Sequence, residues 1–129
     1  MSNIVYDSSV LIALLKGERI DLPLPDIRWA TMSAVNIAEV WTLLANSDAA
    51  GRAAAEEILK YLRAIAPFSE EQARLAGASW LEPGVKGLSL GDRSCLSLAI
   101  LTGAEVYTAD RAWARLNLPC VIHQIRGTK

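Results

Sequence analysis

Short apolar runs and longer stripes of spaced apolar positions alternate along this chain. Ile4-Val5-Tyr6 is a brief β-prone run. Residues 8–16 then read as a helix that stops near Gly17, and Leu22-Pro23-Leu24-Pro25 is a proline-punctuated link. Residues 28–32 predict a second strand. Ser33 is a suitable N-cap for a helix reaching Asn46, and Asn46-Ser47-Asp48 breaks it. Residues 51–63 form a further expected helix, Ala-rich, with Leu59 and Leu62 on an apolar stripe. A third strand is expected over 65–68. Ser69 then caps a helix through Trp80, with Glu70 and Glu71 in the first turn, where the helix dipole favours acids. Residues 82–89 are a Pro/Gly loop and 90–101 a helix ending at Gly103. Residues 105–108 are a fourth strand, 110–116 a short helix and 121–125 a fifth strand.

Strands separated by helices imply an α/β fold with a parallel sheet covered on both faces. The 129 residues fit one domain over the whole of 1–129, with no internal repeat, low-complexity tract or linker. Apolar residues make up 52% of the chain, enough for a sizeable core. No apolar run approaches the ~18 residues a membrane helix needs, so no membrane association is expected. The start of the chain has no basic segment ahead of an apolar one, which argues against a signal peptide. Cys95 and Cys120 lack CxxC spacing and read as buried, reduced thiols of a cytoplasmic protein. Two Cys and one His are too few for zinc. The net charge of −1 does not advertise a nucleic-acid partner and does not exclude one, because local field outweighs the sum.

The acidic residues change this picture. In open parallel sheets the ligand site lies beyond the carboxyl ends of the strands, where the crossover helices begin. Asp7 follows strand one and Asp110 lies two residues past strand four. Asp92 is in the first turn of the helix before strand four. Glu39 lies about six residues into the helix after strand two, roughly 9 Å along its axis. All four therefore fall near one edge of the sheet. Each alone has a purely structural reading. Asp7 and Asp110 suit helix caps, Ser89-x-x-Asp92 is a capping-box spacing, and Asn36, Glu39 and Thr42 recur like a solvated stripe. Together they suggest a cation site, because converging carboxylates repel and hard Mg²⁺ or Mn²⁺ prefers oxygen ligands. Such ions lower the pKa of a water and stabilise charge on a scissile phosphate. Ser9 and Thr108 flank the acids, within reach of a ligand water, a phosphate or the local backbone.

Four segments then resemble the acidic motifs of VapC-like PIN domains, in the family's order. They are Ile4-Val5-Tyr6-Asp7-Ser8-Ser9, Ser33-Ala34-Val35-Asn36-Ile37-Ala38-Glu39-Val40, Leu90-Gly91-Asp92-Arg93-Ser94-Cys95-Leu96-Ser97-Leu98-Ala99 and Tyr107-Thr108-Ala109-Asp110-Arg111-Ala112-Trp113. The resemblance implies a PIN-like three-layer sandwich whose five-stranded parallel sheet has the order 3-2-1-4-5. It implies a toxin of a VapBC toxin–antitoxin pair, cleaving structured RNA, usually tRNA, with Mg²⁺ or Mn²⁺. It also implies a homodimer and neutralisation by a small VapB-like antitoxin. By motif match Asp7, Glu39, Asp92 and Asp110 carry over as catalytic metal-site acids, Thr108 as the hydroxyl beside the last, and Asn36 and Ser9 as weaker supporting positions.

His123 lies in the last strand, away from the acid edge, so an imidazole base is not expected there. Trp29, Trp41, Trp80 and Trp113 read as core or interface anchors. Arg93 and Arg111 adjoin site acids and suit a phosphate, an antitoxin acid or solvent. A phosphoaspartate phosphatase would want an Asp where Ser9 stands. A receiver domain would want paired acids after strand one and a Lys ending the last full strand, which reads His123-Gln124-Ile125. No GxxxxGK or GxGxxG occurs. The remaining rival is a catalytically idle PIN-like binding module, which a metal-dependence assay on RNA separates from an enzyme.

Overall fold

A computed structural model describes residues 3–21, 23–78, 85 and 87–126. Five parallel strands, β1 (Ile4–Tyr6), β2 (Ala30–Ser33), β3 (Ala64–Ala66), β4 (Glu105–Thr108) and β5 (Ile122–Gln124), form one sheet of order β3-β2-β1-β4-β5. Among the described residues five α-helices accompany it: α1 (Ser8–Leu15), α2 (Ala34–Leu44), α3 (Ala49–Leu59), α4 (Glu70–Ala78) and α5 (Leu90–Thr102). This is the layered α/β architecture and the strand order that the resemblance implies.

The central strand β1 is buried along its whole length and alternates between two cores. Successive side chains of a strand point to opposite faces. Ile4 and Tyr6 accordingly join Val10, Leu11, Met32, Ile37 and Val40 on one face, while Val5 joins Leu96, Leu98, Val106 and Trp113 on the other. Register follows from this packing, with Val5 opposite Val106 and Tyr6 opposite Tyr107. A one-residue slip would send each β1 side chain into the wrong core.

Where the boundaries differ from the sequence reading, local chemistry gives the reason. Asp26 accepts from the Arg28 amide at 2.8 Å and starts a 3-10 turn over Ile27–Trp29, so β2 begins at Ala30 and not at residue 28. Asp48, read as part of a break, caps α3 through the Gly51 amide at 2.7 Å and starts it two residues early. β3 ends at Ala66 because Pro67 has no N–H to give a ladder. The expected helix after Asp110 is a 3-10 turn, Arg111–Arg115. Gly103, with φ +67°, closes α5 as expected of a residue free to enter the left-handed region. Trp80 and half of the 82–89 loop lie outside the described residues, as does Leu22 in the proline link. Among the described residues no helix is long and apolar enough to cross a membrane.

Candidate active site

Parallel strands put all their carboxyl ends on one edge, and the four acids gather there. Asp7 leaves β1 with its amide still bonded to the Tyr107 carbonyl of β4 at 3.0 Å. It occupies the N-cap position of α1, yet its side chain makes no capping bond. Instead its Oδ2 accepts from the hydroxyls of Ser9 at 2.6 Å and Thr108 at 3.1 Å. The same hydroxyls accept from the backbone beyond β4, Ser9 from Ala109 at 2.9 Å and Thr108 from Asp110 at 3.0 Å. Two hydroxyls therefore tie Asp7 to the turn that carries Asp110. The other oxygen of Asp7, Oδ1, is buried with no hydrogen-bond partner. Burial above all lifts the Asp7 carboxyl from its ordinary 3.8 to about 6. The charge of Asp92 acts in the same direction, against the Ser9 and Thr108 hydrogen bonds.

Glu39 comes from the middle of α2. Its Oε1 accepts from the Asn36 amide at 2.8 Å and from the Ser8 hydroxyl at 3.0 Å. The alternative reading of a solvated stripe does not hold: Asn36 is fully buried and Glu39 half-buried, and only Thr42 faces solvent. The Asn36 nitrogen also donates to the Gly91 carbonyl at 3.1 Å, across to the first turn of α5. Gly91 is buried, and the Glu39 carboxylate fills the space that a Cβ at residue 91 would occupy.

The capping readings of the last two acids hold for one oxygen each. Ser89 and Asp92 form a complete capping box, both bonds at 3.1 Å. Asp110 accepts from the Ala112 amide at 2.9 Å. Asp92 is nonetheless half-buried. Burial raises its carboxyl above the ordinary range, the Ser89 hydrogen bonds work against this, and the charges of Asp110 and Glu39 add to it. Each of the four carboxylates thus has one oxygen held by the protein, and Asp92 lies within electrostatic reach of the other three.

Such a set suits a hard divalent cation, which prefers carboxylate oxygens and keeps several waters. The observation that fits it most directly is Asp7 Oδ1, a buried and unpaired oxygen in a repelling acidic neighbourhood. Among the described residues no three His, Cys, Asp or Glu side chains form a ready-made metal cluster. The acids line one region and do not close into a cage.

Other side chains fall into supporting places. Cys95, one turn after Asp92, is fully buried, and burial followed by the charges of Asp7 and Asp92 pushes its thiol well up, so it is no nucleophile. Cys120 is only half-buried, contrary to expectation, because it packs at the margin of the second core. His123 pairs with Glu105 at 2.6 Å and stacks on Tyr107 at 4.5 Å, a structural role in the strands. Trp113 belongs to the second core and Trp41 packs against the first, whereas Trp29 is 42% exposed. Arg93 leans on the carbonyls of Ser89 and Ala76, and Arg111 on that of Arg126. The sequence reading missed two site residues, Ser8 and Gly91. A glycine in the first turn of a helix is an unfavourable choice, and that was the one available signal for Gly91.

The PIN domain family profile matches residues 4–118, and the chain belongs to that family. No curated protein sequence matches it. Its fold is similar to that of the DNA-bound VapBC of Salmonella typhimurium, with a TM-score of 0.75 at 18% identity over 96% of this chain and 98% of that one. It is also similar to VapBC-5 of Mycobacterium tuberculosis, with a TM-score of 0.66 at 19% identity over 98% and 100% of the two chains. VapC20 of the same organism, a sarcin-ricin loop cleaving toxin, aligns with a TM-score of 0.66 at 19% identity over 92% and 99%. At such identities the likeness concerns the fold.

Proposed function

We propose that this PIN domain is the toxin of a toxin–antitoxin pair and cuts structured RNA with the help of Mg²⁺ or Mn²⁺. The observation that carries the reading is the buried, unpaired Asp7 oxygen within a set of four acids in which Asp92 is repelled by the other three. In a solvated surface cluster that oxygen would face water, and in an idle scaffold an apolar residue would serve better. Asp7, Glu39, Asp92 and Asp110 would hold the cation. When bound, it would supply an activated water and offset charge on the scissile phosphate. Ser9 and Thr108 orient Asp7, and the Asp110 amide is fixed through the same Thr108 hydroxyl.

The partner reading rests on structural neighbours that are VapBC complexes and on an apolar cleft of about 320 Å³ between α1, α2 and α3. Ile12, Leu15, Leu43 and Leu44 line it, and Leu43 is 46% exposed. An amphipathic antitoxin helix would bury such a surface. Homodimerisation belongs to the same proposal, and light scattering at micromolar concentration checks it.

The enzymatic reading is tested by incubating the protein with total RNA, with tRNA and with a sarcin–ricin loop oligonucleotide, in MnCl₂ or in EDTA. Cleavage is expected in MnCl₂ alone, lost by at least about 100-fold in Asp7→Asn, an effect of at least ~2.7 kcal/mol on the barrier. Equal cleavage in EDTA would sink the metal mechanism, and no cleavage of any RNA would favour a binding module.

A further inference from the structure

Glu39 differs from the other acids in what holds it. Asp92 and Asp110 each bond an amide of their own turn, and Asp7 bonds hydroxyls at the β1–β4 seam. Glu39 is a longer side chain, and ordering it costs more rotamer freedom. It is brought to one place by three elements: the Ser8 hydroxyl of α1, the Asn36 amide of α2 and the bare Cα of Gly91 on α5.

Two of those choices are unfavourable for folding alone. Asn36 is fully buried, and its Oδ1 has no partner, a desolvation cost that an apolar residue of similar volume would avoid. Gly91 weakens the first turn of α5 relative to alanine. Both serve the same carboxylate, and local choices that conflict with stability tend to mark functional sites.

The geometry points to Ser8, Asn36 and Gly91 as a seat for the Glu39 carboxylate, with Asn36 the positioning residue whose amide joins Glu39 to α5 and so sets the cation affinity of the site. This rests on the metal-dependent nuclease reading above. Asn36 touches neither cation nor substrate in this arrangement. It aims Glu39 and fixes the spacing between the helices that carry Glu39 and Asp92.

The test uses the full chain. Asn36→Leu keeps the branched outline of the side chain, at a larger volume, and removes the N–H. Circular dichroism and melts in EDTA establish its folding, and calorimetric titration with MnCl₂ reads affinity directly. Losing the partner of a metal-binding carboxylate typically weakens metal binding by about 10- to 100-fold, and a fall in that range is expected, with kcat reduced and the KM for RNA unchanged. Gly91→Ala attacks the same contact from the other side and favours the helix, so it stands in if the Leu variant does not fold. Its added Cβ must displace the Glu39 carboxylate, and the same loss of Mn²⁺ affinity is expected. In a Glu39→Gln background Gly91→Ala should weaken Mn²⁺ binding no further, since both act through one group. Wild-type Mn²⁺ affinity in the folded variants overturns the seat and leaves the nuclease reading standing. A wild-type chain that binds no Mn²⁺ overturns the nuclease reading and the seat with it.

Discussion

Thr108 is fully buried, and its one hydroxyl donates to Asp7 Oδ2 while accepting from the Asp110 amide. Thr108→Val keeps the shape and strips both bonds, leaving the Asp110 amide unpaired and Asp7 Oδ2 with the Ser9 hydroxyl alone. A loss of about 1–3 kcal/mol follows from leaving a buried polar group unsatisfied. The same change removes one of the hydrogen bonds that hold the Asp7 carboxyl down, so its pKa should climb further above about 6. Chemical denaturation should show the stability loss, and the pH profile of Mn²⁺-dependent cleavage should move to higher pH. Thr108→Ser, which keeps the hydroxyl, should restore both. A Val variant that is as stable and has an unshifted profile would reduce Thr108 to packing.

At the scale of the element, α5 does two jobs with one motif. The Ser89–Asp92 capping box starts the helix, and the same Asp92 faces the other acids. The two roles separate by mutation. Ser89→Ala removes the acceptor for the Asp92 amide and should cost about 1 kcal/mol of stability, with cleavage within a few-fold of wild type. Asp92→Asn loses a helix-terminal charge worth about 0.3–1 kcal/mol but also relieves repulsion from Asp110 and Glu39. Its melting temperature in EDTA should be level with or above wild type, while its gain from MnCl₂ and its activity collapse. Melts of both variants with and without MnCl₂ decide the matter. An Asp92→Asn protein that gains as much from metal as wild type would make Asp92 a cap and nothing more.

For the whole molecule, the buried Asp7 makes stability depend on pH. An unfolded Asp titrates near 3.9, and the folded Asp7 near about 6. Between those values the unfolded chain gives up its proton and the folded one keeps it. Stability of the metal-free protein therefore falls as pH rises through that window and is level above it. The full change is on the order of 3 kcal/mol. A cation needs the deprotonated carboxylate, so MnCl₂ should add little to the melting temperature at pH 5 and much more at pH 7.5. Asp7→Asn should flatten the metal-free pH dependence and abolish the metal effect. Thermal melts from pH 4 to 8, with EDTA or MnCl₂, provide the check. Equal metal stabilisation at pH 5 and pH 7.5 would contradict it.

Much of the fold was legible because the relevant forces are local. Apolar runs, Ser33 and Ser89 as caps and Gly103 as a helix stop all act within a few residues, and they located the elements to within a few positions. Boundaries slipped where a side chain competed with the pattern, as Asp26 and Asp48 did, or where Pro67 withheld an N–H. The alternation of strands and helices placed the four acids at one sheet edge, since parallel strands align their carboxyl ends. How each acid is held could not be read the same way. The Asn36–Gly91 bond joins residues 55 positions apart, and the Thr108–Asp7 bond joins residues 101 apart. Linear spacing does not encode such contacts. By spacing Asn36 fitted a solvated helix face, Ser8 a helix start, and Gly91 only a place within the helix of residues 90–101. Only the packing of α2 against α5 and of β1 against β4 decided which oxygens are buried, which are held and which, like Asp7 Oδ1 and Asn36 Oδ1, remain without a partner, because burial is a property of neighbours that the chain brings together only by folding.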